Sequence, residues 1–253
     1  MKPRASSLEP RARFAGDAAR GLAEVLARPS NGWRLHNGEA LIDPSVGDFK
    51  RAIEGAIAEA NEASAQLLIS FIGHGLSKAD TSTDGSAYPS FFLQVKDSNP
   101  NPMADEDFNV GVVLRSRLED HRDIDGVIVV IDACQAGGLP AEAMANWRGV
   151  TEGRLEVLVA SEHDKSAYGG CFTTTLTQLL AFGRPECGDV ILPLQVIGPI
   201  NSACTDQRAS QSGFTHGRRN AQGQFDNGLS LGVNPQRAPY ALFDRPDAGV
   251  IDQ

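Results

Sequence analysis

The sequence contains no apolar run long enough to cross a bilayer. Its longest, residues 67–72 and 126–131, fall far short of the roughly 20 residues that a membrane-spanning helix needs. Positive charge is also scarce: 23 Lys and Arg stand against 32 Asp and Glu, for a formal net charge of −9. That balance argues against nucleic acid as the main partner, because phosphate binding needs clustered positive charge. Low-complexity tracts are absent, and a composition of 41% hydrophobic and 22% charged residues argues against wholesale disorder. The basic start, residues 1–13, is followed by no apolar stretch and lacks the form of a secretory signal. The four cysteines (Cys134, Cys171, Cys187 and Cys204) have neither CxxC spacing nor the density of a disulfide scaffold. A reducing cytoplasm, in which thiols stay available for chemistry, is the simplest reading. There is no glycine-rich phosphate loop, no GxSxG elbow and no HExxH helix.

What is present fits one α/β domain spanning residues 1–253, a length that buries one substantial core. Residues 1–14 are polar and basic and read as a loose arm. An amphipathic helix is expected over 16–27, with Ala18, Ala19, Leu22, Val25 and Leu26 on one face and Asp17 at its start. Residues 33–36 suit a short strand. Asp43-Pro44-Ser45 then opens a second helix, in which Val46, Phe49, Ile53 and Ile57 recur at helical spacing. Residues 66–72 are a continuous apolar run bounded by glycine, as a buried parallel strand should be. A polar loop over 77–90, an edge hairpin strand over 91–95, a loop over 97–107 and a helix over 110–119 follow. Residues 126–131 form the clearest buried strand, 140–147 a helix, 155–160 a third strand and 172–182 a helix. Beyond these, 190–200 is apolar but interrupted by Pro193 and Pro199, 207–227 reads as a long polar loop, and 229–233 as a final strand. Helices alternating with buried strands imply a mostly parallel sheet covered on both faces.

The two best strands end in residues that chemistry can use. In open α/β sheets, ligands bind in the crevice beyond the carboxyl ends of the strands. Ile72 leads into Gly73-His74-Gly75, and Ile131 leads into Asp132-Ala133-Cys134-Gln135. A thiol attacks best as thiolate, and a nearby imidazole can take its proton and later protonate a leaving amine. Gly75 leaves its N–H unobstructed, so with the Cys134 N–H it can cradle an oxyanion. Taken singly, each residue has an ordinary explanation: a histidine after a strand is usually a loop residue, and a buried cysteine usually fills space. Together, at the ends of consecutive strands and flanked by glycines, they form a candidate Cys–His dyad. Asp132 lies two residues before Cys134, so in an extended strand its side chain points to the same side.

Phe71-Ile-Gly-His-Gly75 and Asp132-Ala-Cys-Gln-Ala-Gly137 resemble the two catalytic blocks of the caspase–metacaspase family of cysteine peptidases. The likeness extends to Gly16-Asp17-Ala18, which resembles the family's first helix, and to the stretch from Ala160-Ser161-Glu162 through Gly170-Cys-Phe-Thr173. It covers residues 16–182. The chain departs from caspases proper in carrying Asp132 where they have glutamine, and from most metacaspases in carrying Gln135 where they have histidine. In the family a first strand normally precedes the first helix, whereas residues 1–14 make a poor strand, so that strand is either missing or replaced by another segment. The resemblance implies a caspase-like three-layer sandwich with a single Cys–His dyad and hydrolysis through an acyl-thioester on Cys134. It implies no required cofactor, and a role in defence or programmed cell death. It also implies a specificity pocket in which Asp17 and Asp132 take an arginine or lysine of a protein or peptide substrate through charge-assisted bonds. Family members are often cut after the cysteine strand; here 139–154 is the corresponding stretch, with Arg148 and Arg154 as candidate cleavage sites in an exposed loop.

Some metacaspases are calcium-activated, and Asp97, Asp105, Glu106 and Asp107 offer an acidic loop, although carboxylates so loosely spaced are usually solvated. No metal site is assigned, since Cys171, Cys187 and Cys204 with His163 or His216 lack any recognised ligand spacing. Cys171 opens a helix, which lowers a thiol's pKa in some proteins, but a small packing residue is the simpler reading. The competing reading of the whole chain is a caspase-fold scaffold that binds a regulatory partner protein without turnover.

Overall fold

The computed structural model describes residues 9–81, 87–103, 107–140, 154–214 and 228–237. Helix α1 (Glu9–Leu26) and a short 3₁₀ turn (His36–Gly38) precede α2 (Val46–Glu62). Then come β1 (Gln66–Thr81), β2 (Ala87–Gln94), β3 (Phe108–Asn109), α3 (Val110–Leu118), β4 (Gly126–Ala133) and β5 (Arg154–Val159). The chain continues through α4 (Cys171–Phe182), β6 (Val190–Ile191), α5 (Pro193–Ala203), β7 (Ser210–Phe214) and β8 (Gly232–Val233). Six strands make the central sheet in the order β3-β2-β1-β4-β5-β7. Strands β1, β4 and β5 are parallel neighbours at its centre, and β3 runs the same way, so four of the six share one direction.

Strand periodicity divides the core in two. From β4, Val127, Val129 and Ile131 face one layer, where α2 brings Phe49, Ile53 and Ile57 and α3 brings Leu114 and Leu118. Ile128 and Val130 face the other, against Leu22, Val25 and Leu26 of α1, Phe172, Leu176 and Leu180 of α4, and Val196 and Ile200 of α5. Every residue of β4 is buried, which is why it reads as an apolar run from Gly126 to Ile131. The result is a three-layer sandwich with helices on both faces. Among the described residues, no helix is long and apolar enough to cross a membrane.

Local chemistry explains the helix starts that the sequence shows. The Ser45 side chain accepts from the Asp48 N–H at 3.1 Å, and the Asp97 carboxylate accepts from the Val46 N–H at 2.6 Å, so two donors at the start of α2 are satisfied. Asn109 caps α3 by accepting from the Val112 N–H at 2.8 Å.

Several expectations are corrected. The first helix begins at Glu9 rather than 16, because Pro10 sits in its first turn, where a missing N–H costs nothing; residues 1–8 lie outside the described ones. Residues 33–36 are not a strand: the Trp33 indole N–H donates to the Leu231 carbonyl at 2.8 Å, docking this segment on the C-terminal part of the chain. The polar loop over 77–90 is largely hairpin, since β1 runs on to Thr81 and pairs with β2, and β3 covers what was to be an edge. Buried Phe91, Phe92 and Leu93 gave the signal for 91–95, whereas the run of β1 to Thr81 rests on its backbone pairing with β2. Pro193 and Pro199 do not break 193–203, which is one helix. Residues 210–214 of the expected long loop add β7 to the sheet, while 215–227 lie outside the described residues. The final strand narrows to β8, paired with β6 in a separate small sheet. A helix does open at residue 138, but most of the expected 140–147 span lies outside the described residues.

Two corrections bear on chemistry. Cys171 and Cys204 form a disulfide between the start of α4 and the end of α5, 33 residues apart in sequence. Spacing alone had suggested thiols; only the packing of α4 on α5 brings the two sulfurs together. Arg154 is no loop residue. It opens β5, is buried, and donates Nε–H to the Asp125 carbonyl at 3.2 Å while pairing with the Asp125 carboxylate.

Candidate active site at the ends of β1 and β4

Parallel pairing places Ile72 beside Asp132 and Gly73 beside Ala133, and there the two strands part. From His74 onward β1 pairs with β2, while the chain beyond Ala133 enters a tight turn. His74 and Cys134 therefore each stand one residue past the last shared position. Both line a cavity of about 740 Å³ between α1, the 33–44 segment and the strand ends. His74 is exposed; Cys134 is half-buried and has no disulfide partner, its thiol 3.9 Å from the Ala167 carbonyl. The turn after Cys134 is unusual: Gln135 has φ +58°, in the left-handed region that non-glycine residues seldom occupy.

Glycines flank the pair for steric reasons. A Cβ on Gly75 would lie 2.6 Å from the Cys134 carbonyl oxygen and 2.7 Å from the Phe91 ring. Gly137 is equally confined, since a Cβ there would meet the His163 backbone nitrogen at 2.5 Å. Any side chain at Gly75 would push the histidine strand away from the cysteine turn. The sequence suggested oxyanion binding at Gly75; the packing supplies a second reason for glycine.

Asp132 lines the same cavity and is buried, at 4% exposure. Its Oδ2 accepts from the Thr173 N–H at 3.0 Å and the Thr173 hydroxyl at 2.7 Å, so it sits at the first turn of α4, where the helix dipole favours an anion. Burial nevertheless dominates and raises its pKa above the ordinary aspartate value, with the Thr173 bonds working the other way. Asp17, its expected companion, is not among the residues that line the cavity. Its side chain is 76% exposed and pairs with Arg20 at 3.0 Å.

The remaining sequence candidates have other occupations. Asp97 caps α2. Asp107 is buried and its two oxygens accept from the Asn99 and Met103 N–H groups, both at 2.9 Å. Asp105, Glu106, Arg148 and His216 lie outside the described residues, and among the described residues no cluster of His, Cys, Asp or Glu could hold a metal ion. His163 is an exposed loop residue and Cys187 a buried one.

Two residues escaped the sequence reading. Ser70 lines the cavity with a buried hydroxyl that has no hydrogen-bond partner among the described residues. Its signal was available: it is the one polar residue within the apolar run 67–72, and period two puts it on the face of Ile72 and His74. Gln135 binds Ser77 twice, a tie with no local sequence signal.

No protein-family model matches the chain, and no curated protein matches its sequence. Among solved structures, its fold is similar to the crystal structure of protein GSU0716 from Geobacter sulfurreducens. The identity is 14% over 70% of this chain and 76% of that one, with a TM-score of 0.43.

Proposed function

We propose that the chain is a cysteine endopeptidase with Cys134 as nucleophile and His74 as its base and acid. The observation that carries this reading is the meeting of both residues at one cavity, each just past the last paired position of two adjacent parallel strands. His74 takes the thiol proton, and the Cys134 sulfur attacks the scissile carbonyl carbon. His74 then gives the proton to the departing amine, leaving an acyl-thioester. Water, deprotonated by His74, attacks the thioester; the acid product leaves and the thiol is restored. In this scheme the Gly75 and Cys134 N–H groups receive the developing oxyanion.

The preferred residue before the scissile bond is arginine or lysine. The cavity walls include Phe14, Leu22, Trp33, Leu41 and Phe71, surface suited to a methylene stem, and the Asp132 carboxylate lies among them as an acceptor for the charged head. Asp132 bears this role without Asp17. Calcium is not part of the proposal: Asp97 Oδ1 accepts from the Val46 N–H, and both Asp107 oxygens accept from backbone N–H groups. A cytoplasmic setting belongs to it only if Cys171 and Cys204 are kept reduced there, since disulfides persist in oxidising compartments.

A peptide-library cleavage assay tests the dyad. Cys134→Ala abolishes turnover and His74→Ala lowers it by roughly 10²-fold or more. Wild-type cleavage by either variant rejects the assignment, and a wild-type chain that cleaves nothing favours a binding scaffold instead.

A further inference from the structure

The β1–β4 ladder fixes the separation of its two strands only as far as Gly73 and Ala133. Past that point β1 follows β2 and the other chain turns away, so pairing no longer sets the distance between His74 and Cys134. Two hydrogen bonds cross the gap beyond it. The Ser77 N–H donates to Gln135 Oε1 at 2.8 Å, and the Ser77 hydroxyl donates to the Gln135 carbonyl at 2.9 Å. On its other side the Gln135 N–H donates to the Lys165 carbonyl at 2.7 Å, fastening the turn to the loop that supplies Ser166–Gly170 of the cavity wall.

The conformation at this position makes the side chain informative. At φ +58° glycine would be the relaxed choice, and glutamine carries a steric penalty. A residue disfavoured by its own backbone is therefore held where its side-chain oxygen and its carbonyl both reach one serine, three residues past His74. The close fit of Gly75 against the Cys134 carbonyl lies between these ties and the dyad, so a loosened joint changes the approach of the two strands at the reacting groups.

We infer that Gln135, with Ser77, is a positioning residue: it locks the cysteine turn to the histidine strand and sets the Cys134–His74 geometry. This rests on the peptidase reading above. A misplacement of about 1 Å at reacting groups costs up to roughly 10²-fold in rate while leaving substrate contacts alone. The joint therefore acts on kcat and not on KM.

The test uses the full chain as wild type, Gln135→Met, Gln135→Glu, Ser77→Ala and His74→Ala. Methionine keeps the reach of glutamine without the acceptor, and glutamate restores an oxygen for the Ser77 N–H. Three quantities are read: kcat and KM on the best library peptide, the rate of Cys134 alkylation by iodoacetamide at pH 7 followed by mass spectrometry, and the melting temperature. Gln135→Met lowers kcat by about tenfold to a hundredfold with KM held within about twofold. Its alkylation rate falls toward that of His74→Ala, and Gln135→Glu recovers most of both losses. Ser77→Ala, the milder change, shows the same pattern even if Gln135→Met folds poorly. Wild-type kcat and alkylation in both Gln135→Met and Ser77→Ala overturn the inference and leave the dyad standing. So does a loss that tracks melting temperature and is not recovered by glutamate. If wild type cleaves no peptide and its Cys134 alkylates no faster than in His74→Ala, the dyad fails, and the positioning role fails with it.

Discussion

At the scale of single residues, Asp132 carries opposing demands. Its burial raises its pKa, so the folded state holds the carboxyl proton more tightly than the unfolded chain does. Below about pH 4 both states are protonated and the burial has no electrostatic cost. As pH rises from there through the raised folded-state value, the unfolded chain ionises first and stability is lost. Asp132→Asn removes the charge and keeps an oxygen for Thr173. Relative to wild type, it gains stability in urea unfolding as pH rises above about 4, and it loses cleavage after arginine and lysine. A gain in the opposite direction of pH means that burial does not dominate at this carboxylate. Unchanged cleavage of arginyl peptides means that Asp132 does not bind the substrate's cation.

At the scale of elements, β5 decides where the chain resists cutting. Arg154 pairs with Gly126 of β4 at the head of the strand, and its guanidinium is held by Asp125. A protease needs several residues of extended, accessible backbone, and the Arg154–Leu155 bond offers none without peeling β5 from the sheet. Any self-processing in the 139–154 stretch therefore spares this bond and leaves Arg148 as the candidate. Intact-mass measurement on active protein checks this: a fragment beginning at Leu155 contradicts it.

At the scale of the whole molecule, the Cys171–Cys204 bridge ties α4 to α5 on the face that also carries α1. Closing a loop across 33 residues stabilises the fold by about 3–4 kcal/mol through the lost freedom of the unfolded chain. For a chain of this size that corresponds to roughly 10 °C in melting temperature. The Cys171→Ser/Cys204→Ser double variant melts lower by about that amount, and a reductant brings wild type down to meet it. Equal melting with and without reductant shows that the bridge contributes nothing.

Apolar periodicity by itself determined the three buried strands, the helices on α2, α3 and α4, and the exit of two strands into His74 and Cys134. Burial is a property of short stretches: β4 is apolar at nearly every position because both its faces are covered, and α2 shows its buried stripe in Phe49, Ile53 and Ile57. The run of β1 beyond His74 and the edge strand β7 left no such trace, because backbone pairing with a neighbouring strand defines them. The same reason governs the site. Asp132 and Cys134 share a face by strand period alone, and that was legible. The separation of Asp17 from the cavity, the bond from Ser77 to Gln135 and the meeting of Cys171 with Cys204 depend on how elements stack. Each joins residues whose neighbours in sequence say nothing about their neighbours in space, so only the tertiary structure decides them.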